Sequence, residues 1–226
     1  CEAHKYTSEI VSLDPLVIYI NNFTSPAEAQ ELINIGEPEF ADSFITRARG
    51  DNQRATGRTS QSAPLPLAHP LVTCLLARAR TFMGSMLQPS EPFSVPQLVR
   101  YFPSQKYDFH TDHWAQHQRD DEGRHFNRVA SFFVFLRDNC TQGETYFPLV
   151  DVLDRDAGRG GELEGRWRGK VVRGEWEGER KGVKFRPVTG NAVFWVNMDG
   201  EGEGDRRVVH AGLPVGEGEK IGLNIW

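Results

Sequence analysis

The chain has 226 residues, 38% of them hydrophobic, and a formal net charge of -5. That length suits one large β-rich domain, and the mild acidity gives none of the basic footprint expected of a nucleic-acid binder. No apolar run approaches the roughly 20 residues that a membrane-spanning helix needs.

In chain order, the first predicted element is an edge strand at 10–20 (IVSLDPLVIYI), with β-branched and aromatic residues around a proline. A helix start follows. Ser25 can cap, Pro26 takes the first helical position, and Glu28 stands where a capping box wants its acid. Leu32 and Ile33 supply an apolar side and Gly36 a stop. The RTSQS element at 58–62 reads as an ordinary loop, with a substrate-facing loop as the alternative. A second helix is predicted over 70–86 from the spacing of Leu71, Cys74, Leu75, Phe82, Met83 and Met86.

After Pro96 the texture changes to short apolar runs. Strands are predicted at 97–102, 128–136, 191–196, 206–211 and 220–226. Residues 151–186 are crowded with Gly, Arg, Glu and Asp; only Trp167, Val171, Val172, Trp176 and Val183 look buriable. This segment reads as a long surface excursion with a hairpin near 171–185. Helices first and strands afterwards make an α+β chain, mainly β, with helices buttressing one face of a sandwich or barrel. The whole of 1–226 is taken as one domain: a strand and helix portion at 1–95, then a β core at 96–226 carrying the 151–186 insert.

Cys1, Cys74 and Cys140 form no CxxC pair, which leaves one bridge with a spare thiol, or three free thiols. Two sequons, Asn22-Phe23-Thr24 and Asn139-Cys140-Thr141, lean towards a secretory compartment, although about one is expected by chance. Cys1 in place of a methionine implies that something upstream was removed, which could have been a signal peptide or a membrane anchor.

The chemistry concentrates in two segments. In QLVRYFPSQKYDFHTDHW (97–114), His110 and Asp112 are one residue apart, so on an extended strand they share a face. Two such ligands, with a third from elsewhere, make the 2-His-1-carboxylate set of non-haem Fe(II) oxygenases, which leaves positions open for a 2-oxo acid and O2. HxD alone is a weak signal, and two surface residues is its default meaning. The second segment, RRVVHAGLPVGEGEKIGLNIW (206–226), strengthens it. His210 ends an apolar run and Lys220 follows ten residues later. A cation there would meet the far carboxylate of a dicarboxylic acid chelated at the metal.

Three stretches carry a family resemblance: RYFPSQKYDFHTD (100–112), RVASFFVFLRDNCTQGETYFP (128–148) and GNAVFWVNMDGEGEGDRRVVHAGLPVGEGEKIGLNIW (190–226). Together they resemble the catalytic domain of the prolyl 4-hydroxylase family of 2-oxoglutarate dioxygenases. PLVIYINNFTSPAEAQELI and RTSQS resemble it more loosely. The resemblance implies a double-stranded β-helix, or jelly roll, with iron on His110, Asp112 and His210. It implies that Lys220 binds 2-oxoglutarate with help from Tyr101 and Thr145, that Trp226 lines the pocket, and that Tyr107 and Arg128 position substrate. The implied cofactors are Fe(II), 2-oxoglutarate and O2, with ascorbate as reductant. The implied substrate is proline in a peptide or protein, hydroxylated at C4, and the implied compartment is the secretory pathway, in the endoplasmic reticulum. A free amino acid, a sugar or another small molecule is the alternative substrate. A non-catalytic jelly-roll binding module is the alternative from another class, and the intact triad with Lys220 argues against it. Ser104 and Gln142 depart from the family by replacing glycines, which leaves two local loop shapes open. Oligomeric state is not encoded in any pattern found.

Overall fold

The computed structural model describes residues 4–46, 52–53, 57–153, 163–175 and 181–226. The chain opens with a hairpin of β1 (Thr7–Leu13) and β2 (Leu16–Asn21), followed by α1 (Pro26–Gly36). The run at 10–20 is therefore two antiparallel strands instead of one. Leu13 pairs with Leu16, so Asp14 and Pro15 form the turn, where a missing N–H removes no ladder bond.

Helix α1 starts as its sequence requires. The Glu28 amide donates to Ser25 Oγ and the Ser25 amide donates to the Glu28 carboxylate, closing the capping box. Gly36 has a different role from a left-handed stop. Its backbone is right-handed, and a Cβ there would collide with Leu98 Cδ1, so its place is set by close packing on the sheet, where a larger residue would have to displace the Leu98 side chain.

Short strands β3 (Ala41–Asp42), β4 (Ile45–Thr46), β5 (Asn52–Gln53) and β6 (Gln61–Pro64) lead to α2 (Pro70–Met83), which a 3-10 turn extends to Met86. His69, which no pattern singles out, caps α2 by accepting the Leu71 amide at 3.2 Å. The second half holds β7 (Gln97–Tyr101), β8 (Tyr107–His110), β9 (Gln118–Arg119), β10 (His125–Phe126), β11 (Ala130–Gln142) and β12 (Thr145–Phe147). After them come β13 (Val171–Arg173), β14 (Val183–Phe185), β15 (Ala192–Val196), β16 (His210–Gly212) and β17 (Val215–Ile225). The strand predicted at 206–211 begins only at His210. Arg206–Val208 form a 3-10 turn, because Asp205 caps it through the Arg207 amide.

An eight-stranded sheet, β1-β2-β15-β11-β17-β7-β6-β3, packs against a five-stranded sheet, β13-β14-β12-β16-β8. The fold is a jelly roll, mainly β. The long strands are buried on both faces, and the period of two sorts their side chains. Phe132, Phe194, Ile221 and Leu223 pack with Leu32, Ile33, Val72 and Leu75 of the helices. Phe133, Phe135, Val193 and Trp195 point the other way, into the space between the sheets, with Phe147 and Phe185.

The 171–185 hairpin forms, and it is more than a surface excursion. β13 and β14 extend the small sheet, and Leu163, Trp167, Val171 and Val183 are buried in the core. Trp176 lies outside the described residues, as does Cys1. Cys74 is disulfide-bonded and Cys140 keeps a free thiol, which selects the one-bridge alternative. Among the described residues no helix is long and apolar enough to cross a membrane.

Candidate active site

Three cross-strand pairs build the site. His110 on β8 stands opposite His210 on β16, Thr145 on β12 opposite Gly212, and Tyr101 on β7 opposite Lys220 on β17. Strand register thus brings together groups that are far apart in the chain. The two imidazole centroids are 4.3 Å apart. Asp112 lies just past the end of β8, and its Oδ1 is 3.6 Å from His110 Nε2 and 3.8 Å from His210 Nε2. The ligand atoms these three residues offer all lie within 4.8 Å of one another.

Each imidazole is oriented from behind. Nδ1 of His110 bonds the Asp108 carbonyl at 2.8 Å, and Nδ1 of His210 bonds the Val208 carbonyl at 3.0 Å. A carbonyl only accepts, so Nδ1 holds the proton and Nε2 offers its lone pair to the shared point. The Tyr107 ring stacks on His110 at 3.6 Å, while Phe147 and Trp195 wall in His210 at 5.0 and 4.8 Å. Burial, reinforced by the second imidazole, pushes the His110 pKa well below the ordinary histidine value despite the Asp112 charge. Burial would raise the Asp112 carboxyl, but His210, His110, Ser131 and Arg128 outweigh it and hold the group below the usual carboxylate range. Neutral imidazoles and an ionised carboxylate are the states that ligate metal. Two nitrogens and one oxygen, converging in this way, fit Fe(II).

The cavity beside this point is lined by Tyr101, Phe133, Thr145, Trp195, Lys220 and Asn224 among others. Lys220 is 1% exposed. Its Nζ donates to the Gly143 carbonyl at 2.6 Å and lies 5.1 Å from the ring centres of both Tyr101 and Phe133. Among the described residues no carboxylate forms an ion pair with it. Burial pushes its pKa down to about 8, against weaker opposing effects of Cys140 and Glu144. A buried cation without an acid awaits an anionic partner. The Thr145 hydroxyl and the Trp195 indole nitrogen, which line the same cavity, are also buried without hydrogen-bond partners among the described residues. This donor set fits the distal carboxylate of 2-oxoglutarate. Burial raises the Tyr101 phenol to about 12, so its hydroxyl stays protonated as a donor.

Tyr107, Arg128 and Trp226 lie close to the triad, although Arg128 and Trp226 do not line the cavity itself. Tyr107 faces His110, with the Arg58 guanidinium 4.7 Å above its ring. Arg128 lies 3.7 Å from the Trp226 ring centre and 4.9 Å from that of Trp114, and its Nη1 reaches the Asp112 carbonyl at 3.5 Å. Trp226 Nε1 donates to Asp112 Oδ2 at 3.0 Å. Sequence reasoning passes over four contributors: Arg58, Ser131, Trp195 and Asn197. Arg58 belongs to RTSQS, which is therefore no ordinary loop, since its first residue reaches the site. Ser131 was legible in principle, as the one polar residue in the apolar run 129–136.

Residues 96–226 match the family model of the 2OG-Fe(II) oxygenase superfamily. The chain is similar to prolyl 4-hydroxylase 1 of Arabidopsis thaliana, 30% identical over 222 residues, covering 96% of this chain and 70% of that protein. It is 29% identical over 225 residues to the prolyl 4-hydroxylase subunit alpha-3 of Mus musculus, covering 96% of this chain and 34% of that one. Among solved structures, the viral collagen prolyl hydroxylase of Paramecium Bursaria Chlorella virus-1 in its 2OG complex superposes with a TM-score of 0.63. It is 24% identical, with coverage of 93% and 94%. A prolyl hydroxylase from Trichoplax adhaerens, bound to a peptide fragment of the hypoxia inducible factor oxygen degradation domain, gives 0.56 at 14% identity, with coverage of 93% and 82%. These two show the same fold.

Proposed function

The chain belongs to the prolyl 4-hydroxylase family of the 2OG-Fe(II) oxygenase superfamily, and on that footing we propose that it hydroxylates proline within a peptide at C4. The observation that carries this reading is the convergence of His110, Asp112 and His210 beside a cavity closed by the unpaired Lys220 cation. Iron with 2-oxoglutarate and O2 supplies the oxidising chemistry, which releases succinate and CO2. The protein's own part is positional. His110, Asp112 and His210 hold the metal, and Lys220, Tyr101 and Thr145 fix the co-substrate carboxylate. Phe133, Phe135 and Trp195 keep water from that end of the cavity. Tyr107, stacked on His110, and Arg128, packed on Trp226, are the side chains that would position a bound peptide.

The relatives' names support proline as the target, and ascorbate is the reductant we propose. A secretory compartment, the endoplasmic reticulum in particular, agrees with the disulfide at Cys74 and with the exposed Asn22 and Asn139 of the two sequons.

The test is mass spectrometry of a proline-rich peptide panel, with free proline alongside, incubated with enzyme, Fe(II), 2-oxoglutarate and ascorbate. The expected result is a one-oxygen gain on a peptide proline that disappears in His110→Ala. Consumption of 2-oxoglutarate with no peptide modified would move the substrate to a free amino acid, a sugar or another small molecule.

A further inference from the structure

The two oxygens of Asp112 are treated differently. Oδ1 faces both histidine Nε2 atoms, at 3.6 and 3.8 Å. Oδ2 accepts the Ser131 hydroxyl at 2.7 Å and the Trp226 indole N–H at 3.0 Å. Ser131 is in turn held by Asn197, whose Nδ2 donates to Ser131 Oγ at 2.8 Å. Ser131 and Asn197 are both 0% exposed.

The polarity of this chain of bonds is forced. A serine hydroxyl has one hydrogen, and the ionised carboxylate is the stronger acceptor beside it. Ser131 can therefore take only a donor from Asn197, which turns the amide nitrogen towards it. The consequence is visible on the other side of the amide, where Asn197 Oδ1 is buried with no partner. A buried acceptor without a partner is unfavourable, and this arrangement is tolerated with the amide nitrogen on Ser131. The Asn197 backbone is held at both ends, since its amide donates to the Val129 carbonyl at 2.9 Å and its carbonyl accepts from the Asp205 amide at 2.8 Å.

We propose that Ser131, anchored by Asn197, is a positioning residue for the metal. With Trp226 it occupies Asp112 Oδ2, so that the carboxylate offers the metal one oxygen and leaves room for co-substrate and oxygen. This rests on the reading that His110, Asp112 and His210 hold Fe(II). Removing the hydroxyl frees Oδ2 to turn towards the metal or to swing the carboxylate away from it. Both outcomes change the ligand field as well as the affinity.

The experiment is anaerobic Co(II) titration of the apoprotein, read by visible d–d absorption and by the equilibrium constant, for wild type, Ser131→Ala and Asn197→Ala. Ser131→Ala should weaken binding by about 10- to 100-fold with an altered d–d spectrum. Asn197→Ala, which keeps the hydroxyl but loses its anchor, should shift both readings in the same direction by a smaller amount. It also carries the test if Ser131→Ala fails to fold. Affinity within twofold of wild type in both variants overturns the proposal. A weakened affinity with the wild-type spectrum overturns it too, because that is the signature of general loosening. Failure of the wild type itself to bind Co(II) would instead sink the three-residue metal site, and this inference with it.

Discussion

Lys220 shows how a single residue can be set for one ligand. Its ammonium is buried among aromatic rings with one carbonyl for company, and its pKa falls to about 8. The charge is present in the free enzyme below that value and is lost as pH rises through it. Affinity for 2-oxoglutarate, measured by calorimetry, should therefore hold below about pH 8 and weaken above it, approaching about tenfold per pH unit well beyond. An affinity flat to pH 10 would mean the carboxylate is held elsewhere. Lys220→Ala should raise the 2-oxoglutarate requirement by about 10- to 100-fold, the scale of a lost charge-assisted bond. Ser104 and Gln142 make the opposite point. Both replace glycines expected from the family resemblance, and both have left-handed backbones, with φ of 67° and 60°. The loop shapes are retained at some strain, about 1–2 kcal/mol for an L-residue in that region. Gln142→Gly should then raise stability by under about 1 kcal/mol, once the greater freedom of unfolded glycine is subtracted. Loss of stability on urea denaturation would mean the Gln142 side chain contributes more than its backbone costs.

At the scale of elements, the helices and the large sheet depend on one seam. Phe194 is buried against Phe132 and Phe82, with ring centres 4.8 and 5.1 Å away. Phe194→Ala should destabilise by about 3–5 kcal/mol, the cost of deleting a buried aromatic ring and leaving a cavity. A loss below about 1 kcal/mol in denaturant titration would show that the helices do not rely on this face. Strand β17 carries the same division within one element. Ile221, Leu223 and Ile225 pack on the helix side, while Lys220 and Asn224 face the cavity and Trp226 continues that face. Gly222 lies between them because any Cβ would collide with the Phe133 ring. This alternation is plain in KIGLNIW, and so is the capping box at Ser25. The role of Gly36 is not, because its neighbour Leu98 lies on a strand 62 residues later.

For the whole molecule, ligands and covalent links should be readable as stability. Binding to the folded state alone stabilises by RT ln(1 + [L]/Kd), about 2.7 kcal/mol at a hundredfold excess over Kd. Co(II) should therefore raise the melting temperature of wild type and leave His110→Ala unmoved. A shift of equal size in both would mean that the metal sits elsewhere. The sequence by itself determined the class of chemistry, the mainly β fold with helices at its start, and the identity of the triad and of Lys220. The fold class and the His110–Asp112 pair follow from local rules: two ligands at a strand's period, apolar runs of strand length, and turn residues between them; His210 and Lys220 came from the resemblance of whole motifs to a known family. Only the tertiary structure decided which Asp112 oxygen is free, that Arg58 reaches Tyr107, and that the 163–185 region contributes to the core. Ser131 meets Asn197 across 66 residues and Asp112 meets Trp226 across 114. Contacts at those separations are set by sheet order and register, which side chains adjacent in sequence do not encode.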